Sequence, residues 1–192
     1  MRRALEISEA CFGQDHPKVA VCLNNLARVL TDTGRASEAE PLLRRALQID
    51  ETSLGKNHPN VAIRLNNLAQ LLQATNRLDE AEAMLRRAIA IDEASFGPRH
   101  PNVARDLNNL GLLLQDADRL AEAEPLMRRG LEILAEVGGK TGHDHPYLQT
   151  GVANYRRLLE AMNLPQDGID HHVREALQKP QHLPDGRVTN DE

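Results

Sequence analysis

Two polar residue types recur at fixed intervals in this chain of 192 residues and could bind a ligand or a metal. Histidine before proline occurs 42 residues apart at 16–17, 58–59 and 100–101, and again at 145–146. A pair of asparagines lies inside the string LNNLA at 23–27 and 65–69, which returns as LNNLG at 107–111. Both spacings predict an internal repeat of 42 residues.

Metal binding by these histidines is not expected. One histidine per repeat, at successive loops, does not give the converging tetrahedral set that a metal requires. Further histidines at 143, 171 and 172 have no cysteine or paired carboxylate beside them. The two cysteines, Cys11 and Cys22, are too few for a disulfide framework. We predict no metal and no cofactor, and we expect the recurring histidines to stand at helix starts.

Each repeat predicts two helices joined by a short turn. In the first repeat Leu23, Leu26 and Leu30 follow one another at three- and four-residue steps, and residues 39–50 show the same spacing. Helix starts are predicted at the recurring prolines, where a missing N–H is tolerated; these are Pro17, Pro59 and Pro101. Helix ends in the left-handed conformation are predicted at Gly13, Gly55 and Gly97. Ser37 and Glu40 have the spacing of a capping box before the second helix.

A single helical hairpin cannot bury both of its apolar faces, so neighbouring hairpins should stack into a right-handed superhelix with a concave groove. The residue pattern resembles the tetratricopeptide repeat family at Leu23, Leu26, Ala27, Leu30, Ala39, Leu43 and Ala46, and at the same positions of the next two repeats. The longer repeat, the LNNLA string and the G-x-x-H-P junction resemble the kinesin light chain subgroup. The resemblance implies an all-α, right-handed α-solenoid of antiparallel helix pairs over roughly residues 1–160.

Six segments follow from the repeat pattern. The chain opens with a half repeat that has only a second helix, and it continues with three complete repeats, a degenerate repeat with a capping helix, and a polar, proline-rich tail expected to be disordered. Their bounds are 1–14, 15–56, 57–98, 99–142, 143–178 and 179–192. In the degenerate repeat we expect a helix over roughly 146–162 and a short helix over 169–178. Arg156 stands there where Ala27 stands in the first repeat, so a normal partner helix should not approach as closely.

Composition narrows the range of functions. The net charge of -5 argues against a nucleic-acid partner, because phosphate binding needs a basic surface. No apolar run approaches the roughly 18 residues of a membrane span, and the N-terminus lacks the apolar stretch of a signal peptide, so we expect a cytoplasmic protein without a membrane partner. No phosphate-binding loop, nucleophile elbow or acid–base constellation is present, so an enzyme is not expected.

The side chains expected in the groove come from the first helices. They are Asn24, Asn25, Arg28, Asn66, Asn67, Gln70, Arg105, Asn108, Asn109, Asn154 and Arg157. Asparagine amides can donate to and accept from a peptide backbone, and guanidinium groups favour carboxylates. Resemblance to kinesin light chains likewise implies short cargo peptides with acidic residues. The alternative is that the asparagines tie neighbouring repeats together and bind no ligand, a role that we consider less suited to the arginines because they gain little from burial.

The ends and the outer face of the array suggest two further expectations. The half repeat should leave an apolar N-terminal edge, which predicts either a structural or oligomerisation fragment of a larger protein or a homodimer through that edge. Arginine pairs at 44–45, 86–87 and 128–129 lie among Glu40, Glu82 and Glu124 on the second helices, and we expect them to form a solvated, ion-paired surface.

Overall fold

The computed structural model describes residues 2–143 and 145–178, and this part of the chain contains nine α-helices and no strand. In chain order the helices are α1 (Arg2–Phe12), α2 (Pro17–Asp32), α3 (Ala36–Leu54), α4 (Pro59–Ala74), α5 (Leu78–Phe96), α6 (Pro101–Asp116), α7 (Leu120–Thr141), α8 (Leu148–Ala161) and α9 (Gln166–Leu177). The pairs α2–α3, α4–α5 and α6–α7 form hairpins, and each second helix also packs against the first helix of the next hairpin. The predicted all-α solenoid is confirmed, while the tail at 179–192 lies outside the described residues.

Each hairpin begins at a His-Pro pair, as the sequence predicts. Proline is the first residue of α2, α4 and α6, and the histidine before it caps the helix. Its Nδ1 accepts a hydrogen bond from the backbone N–H two residues on, at Lys18 (3.1 Å), Asn60 (3.1 Å) and Asn102 (3.2 Å). The N–H groups of a first helical turn have no partner within the helix, so this contact stabilises the start. The expected role of these histidines is confirmed.

α3 and α5 end at the predicted glycines, but two capping details differ from the prediction. Gly55 and Gly97 do have positive φ (92° and 88°), but their ψ values of 150° and 158° place them in an extended region that only glycine adopts readily, rather than in the left-handed helical region. The capping box is absent because α3 begins at Ala36, one residue before Ser37, and its cap residue Arg35 makes no side-chain cap.

Small residues allow the two helices of each hairpin to approach closely. Ala27 of α2 and Ala39 of α3 are fully buried in the main apolar core. In the third hairpin, Gly111 takes the position of Ala27, and Met127 takes that of Leu43. A Cβ atom on Gly111 would lie 2.5 Å from Cγ of Met127, so the larger side chain occupies the space that the missing methyl leaves.

The C-terminal repeat departs from the predicted bounds. Instead of the expected 146–162 and 169–178, α8 and α9 cover 148–161 and 166–177. The earlier start of α9 follows from Pro165, whose extended backbone precedes the first turn, and from Asp167, whose charge is favourable at a helix N-terminus. Arg156 does not pack as Ala27 does, and its Nη1 instead contacts Oδ1 of Asp170 at 2.7 Å, which links α8 to α9.

Candidate peptide-binding site

The asparagine pairs join neighbouring first helices through side-chain hydrogen bonds. The second asparagine of a pair donates from Nδ2 to Oδ1 of the first asparagine one repeat earlier, as in Asn67 to Asn24 (2.6 Å) and Asn109 to Asn66 (2.9 Å). The single Asn154 of α8 donates to Asn108 in the same way (3.0 Å). These contacts show that the asparagines do tie the repeats together. Because an amide has two donor hydrogens and an acceptor oxygen, Asn24 keeps its Nδ2 and Asn67 keeps its Oδ1 for a ligand.

Asn66 is buried and does not line the groove, contrary to the prediction. Only 4% of it is exposed. Its Nδ2 donates to the carbonyl oxygen of Ala62 and to Oδ1 of Asp106, both at 3.0 Å, while its Oδ1 accepts the bond from Asn109. The carboxylate of Asp106, one repeat further on, holds the amide inward, so Asn66 acts as a link between α4 and α6.

Arg28 lies in a cleft between α2 and α4, and it is exposed. We call this the Arg28 cleft; its lining residues are Asn24, Arg28, Thr31, Asp32, Leu43, Asn67, Gln70 and Leu71. Within residues 2–143 and 145–178 the Arg28 guanidinium has no hydrogen bond or ion pair. The cleft therefore brings together the amides of Asn24, Asn67 and Gln70 with an uncommitted cation, as the sequence predicts for a groove that could hold a peptide.

Arg105 lies in a second cleft, between α6 and α8, and it is already ion-paired. Its Nε and Nη2 donate to Oδ1 of Asp106 at 3.0 and 2.9 Å, and Nη2 lies 3.5 Å from Oδ2 of Asp92. The view that an arginine here gains little from burial is wrong for Arg105, because it neutralises buried carboxylates. About a third of the side chain (32%) remains exposed.

The second cleft, called the Arg105 cleft, adjoins the first. Its lining residues are Gln70, Ala104, Arg105, Asn108, Asn109, Leu134, Tyr147, Thr150 and Gly151. Gln70 lines both clefts, so the two are neighbours along the first helices. Of the other predicted groove residues, Asn25 is half-buried on α2 and Arg157 is exposed on α8.

Buried carboxylates between hairpins were missed at the sequence level. Asp50 of α3 binds Arg64 of α4 at 2.8 Å, with side-chain exposures of 0% and 7%. Asp92 and Asp106 occupy the corresponding positions one repeat later, and burial raises the pKa of both, that of Asp106 to about 6. One sequence signal pointed to these positions. The residue immediately before the LNNLA string changes from repeat to repeat, and it is Cys22, Arg64 and Asp106 in turn.

The arginine pairs of the second helices form the predicted ion-paired surface. The first arginine contacts the glutamate four residues earlier, as in Arg44 with Glu40 (2.8 Å) and Arg86 with Glu82 (2.7 Å). The second arginine reaches the preceding repeat: Arg45 contacts Glu9 (2.7 Å), Arg87 contacts Glu51 (2.5 Å) and Arg129 contacts Glu93 (2.6 Å). These ion pairs therefore connect successive hairpins.

Arginines at the hairpin turns form a second line of ion pairs between repeats. Arg77 contacts Glu40 at 2.8 Å and Arg119 contacts Glu82 at 2.5 Å. Hydrogen bonds from these guanidinium groups lower the pKa of both glutamates. In the last repeat the Tyr155 hydroxyl donates to Glu124 at 2.6 Å and takes the place of the arginine.

Stacked hairpins whose first helices share one continuous face define an α-solenoid repeat protein. The family profile described as "Tetratricopeptide repeat" matches residues 1–52, 29–94 and 65–136. The chain belongs to the tetratricopeptide repeat family. No curated protein matches its sequence. In the described part of the chain, no helix has the length and apolar character needed to cross a bilayer.

The solved structures that the chain resembles include kinesin light chain-like proteins, so its fold agrees with the predicted subgroup. BtubC (BKLC) from P. vanneervenii aligns with a TM-score of 0.76 and 22% identity, over 100% of this chain and 78% of that chain. A kinesin light chain-like protein from Podosopora anserina with nearly identical TPR-like repeats aligns with a TM-score of 0.70 and 22% identity, over 91% and 82%. At these identities the likeness establishes the fold.

Proposed function

We propose that this chain is a non-enzymatic, cytoplasmic scaffold that binds an extended acidic peptide segment along α2, α4, α6 and α8. Tetratricopeptide repeats generally mediate protein–protein interaction, which supports a protein or peptide as the partner. The Arg28 and Arg105 clefts support a ligand that runs across several first helices, because Gln70 joins them. Amide groups would meet the ligand backbone, and guanidinium groups would meet its carboxylates.

The uncommitted guanidinium of Arg28 is the observation that carries this proposal. The arginines of the outer surface, such as Arg44 and Arg86, are held by glutamates of the same chain. Arg28 lies beside ligand-facing amides and has no such partner among the described residues. A carboxylate that binds Arg28 therefore displaces no internal ion pair, and it gains a charge-assisted hydrogen bond.

Fluorescein-labelled hexaglutamate is a suitable probe, and its affinity is measured by fluorescence anisotropy. Arg28→Gln copies the residue at the same position of the next repeat, Gln70, and we expect roughly fivefold weaker binding, which corresponds to about 1 kcal/mol. Arg86→Gln removes the same charge from the outer surface and should leave the affinity unchanged. An equal loss in both variants would show that net charge alone attracts the probe. No binding to the unaltered protein would exclude the acidic ligand.

A second candidate function is self-association, in which α1 packs against α1 of a second copy about a twofold axis. Ile7 is 56% exposed, whereas Ile49 and Ile91 at the same position of α3 and α5 are 3% and 4% exposed because the first helix of their own hairpin covers them. Light scattering at increasing concentration should reveal a dimer that Ile7→Glu dissociates. A monomer at every concentration would remove this candidate.

A further inference from the structure

Asp92 and Asp106 form a buried carboxyl pair where α5 meets α6. Their exposed fractions are 1% and 0%. Arg105 contacts both carboxyl groups, at 3.5 Å for Asp92 and 2.9 Å for Asp106, and Asn66 of α4 donates to Asp106 at 3.0 Å. Two carboxyl groups thus share one guanidinium. At the corresponding place one repeat earlier, Asp50 and Arg64 are matched one to one.

One oxygen of each carboxyl group remains without a hydrogen-bond donor among the described residues. These atoms are Oδ1 of Asp92 and Oδ2 of Asp106, and both are buried. Both carboxyl groups contact the same Nη2 atom of Arg105 and so lie close together, and a proton on one of them would supply a hydrogen-bond donor that the pair lacks. Such a proton also balances the charge, because one carboxylate then faces one guanidinium.

Apart from Arg105, none of the described groups that face the pair is an arginine or lysine that could balance the second carboxylate. His100, which caps α6, and Asn102 act on Asp92, and Asn66 acts on Asp106. Burial is the largest effect on both carboxyl groups and raises the pKa of each, that of Asp106 to about 6 despite the attraction of Arg105. The pair therefore holds a proton more strongly than ordinary carboxyl groups do.

The pair is connected to the groove through two contacts. Arg105 is one-third exposed in the Arg105 cleft, and Asn66 joins Asp106 to Asn109 of the same cleft. A ligand carboxylate that binds Arg105 competes with Asp92 and Asp106 for the same guanidinium. We infer that the Asp92–Asp106 pair is a proton-binding site that regulates the groove: a proton taken up from solvent leaves Arg105 facing one carboxylate instead of two, and the weaker internal attraction lets that guanidinium bind a ligand carboxylate more strongly.

The proton site itself is tested without any ligand, by urea unfolding of the intact chain between about pH 5 and pH 7. Because the folded-state pKa is raised, the folded protein binds more protons, so the urea midpoint should fall as the pH rises through this range. Asp106→Asn should remove this fall, and Asp92→Asn is the second variant if Asp106→Asn does not fold. Asp118→Asn is the control: it makes the same change at a turn whose counterpart is Asn76, with φ of 58° and 59°. An equal fall in unaltered protein, Asp106→Asn and Asp92→Asn would overturn the proton site.

Regulation of the groove rests on the proposed function and has its own measurement. Hexaglutamate should bind the unaltered protein more weakly as the pH rises, approaching about tenfold per pH unit where one full proton is taken up with the ligand. Asp106→Asn should reduce this dependence, while Asp118→Asn should retain it. The same pH dependence in Asp106→Asn would overturn the coupling. If hexaglutamate binds at no pH, the proposed function and the coupling both fail, and the unfolding experiment still decides the proton site.

Discussion

At each junction between hairpins, one residue on either side faces the other, and this pair of side chains is different at every junction. The pairs are Ser8 with Cys22 (3.3 Å), Asp50 with Arg64 (2.8 Å), Asp92 with Asp106, and Leu134 with Gly151. They are a weak polar contact, a buried ion pair, a carboxyl pair that shares a guanidinium, and an apolar contact. Each side chain fits its own partner and would leave another junction with an unpaired charge or an unfilled space.

Removal of the cation at the second junction should be costly. Arg64→Cys leaves the carboxylate of Asp50 buried without its partner, and we expect a loss of about 3–5 kcal/mol in the free energy of unfolding, measured by urea denaturation. Adding Asp50→Ser recreates the Ser8–Cys22 pair and should restore part of that loss. A double variant less stable than Arg64→Cys alone would contradict this account.

Histidine caps make a smaller, separable contribution. His58→Ala removes the Nδ1 acceptor for the N–H of Asn60, and we expect a loss of about 1 kcal/mol. His58→Asn supplies a side-chain oxygen at the same place and should remain within a few tenths of a kcal/mol of the unaltered protein. Thermal and urea unfolding both measure the difference, and an equal loss in the two variants would show that His58 acts through packing instead.

The residue scale is also where sequence reasoning fell short. The ion pair of Arg44 follows from helical spacing, because Glu40 lies four residues earlier in the same helix, whereas the groove position of Arg28 was expected from the repeat template. The burial of Asn66 and the commitment of Arg105 depend on Asp106 and Asp92, which belong to other helices. The direction in which the Arg105 side chain points is set by contacts with other helices. The spacing of residues within one helix therefore cannot predict it.

Among the elements, the third hairpin differs from the others in how its two helices pack. Gly111 and Met127 replace the alanine–leucine combination of Ala27 with Leu43 and of Ala69 with Leu85. The buried volume is redistributed across the hairpin, since a smaller residue on α6 faces a larger one on α7. Close packing of this kind makes the two positions interdependent.

Restoring the common pair should stabilise the third hairpin. Gly111→Ala alone gains about 1 kcal/mol of helix propensity but places its Cβ 2.5 Å from Met127, so we expect little or no net gain. Gly111→Ala with Met127→Leu removes that clash and should raise the free energy of unfolding above that of either single variant. A double-mutant cycle measured by urea unfolding gives the coupling, and strict additivity would show that the two positions do not interact.

Element boundaries were predictable where backbone chemistry alone sets them. Pro17, Pro59 and Pro101 begin their helices because the proline ring suits a first turn, and no tertiary contact is needed. The start of α9 was misplaced because an apolar pattern identifies Ile169 and Val173 but gives no signal for the polar first turn before them. Ser37 is not a cap for a related reason, since α3 begins at Ala36, two residues earlier than a cap at Ser37 would place its start.

Across the whole molecule, the pKa is shifted in opposite directions for carboxyl groups at the surface and for those buried between hairpins. The pKa of Glu40 and Glu82 is lowered by Arg77 and Arg119, so their contribution to stability is present above the ordinary value of 4.5 and is lost as the pH falls. Asp106 has a raised pKa of about 6, so its contribution is lost as the pH rises. The protein should therefore be most stable at a pH between the acid range, where the glutamates lose their contribution, and the range where Asp106 loses its own.

We therefore expect the urea midpoint of the intact chain to pass through a maximum between about pH 4.5 and pH 6. Arg77→Gln with Arg119→Gln should reduce the loss on the acid side and leave the neutral side unchanged. Exposed Arg99→Gln provides a control for the general loss of positive charge. A midpoint that rises steadily from pH 4.5 to pH 7 would contradict the assignment of these groups.

Because the facing side chains differ from junction to junction, the order of the repeats in the gene matters for folding. A gene in which the stretches for residues 15–56 and 57–98 were exchanged would encode the same composition and the same helices. In its product, however, Arg64 would face Ser8, Cys22 would face Asp92, and Asp50 would face Asp106. Recombination between these similar stretches would thus tend to yield chains that misassemble, and divergence at one facing position protects the array from being shuffled.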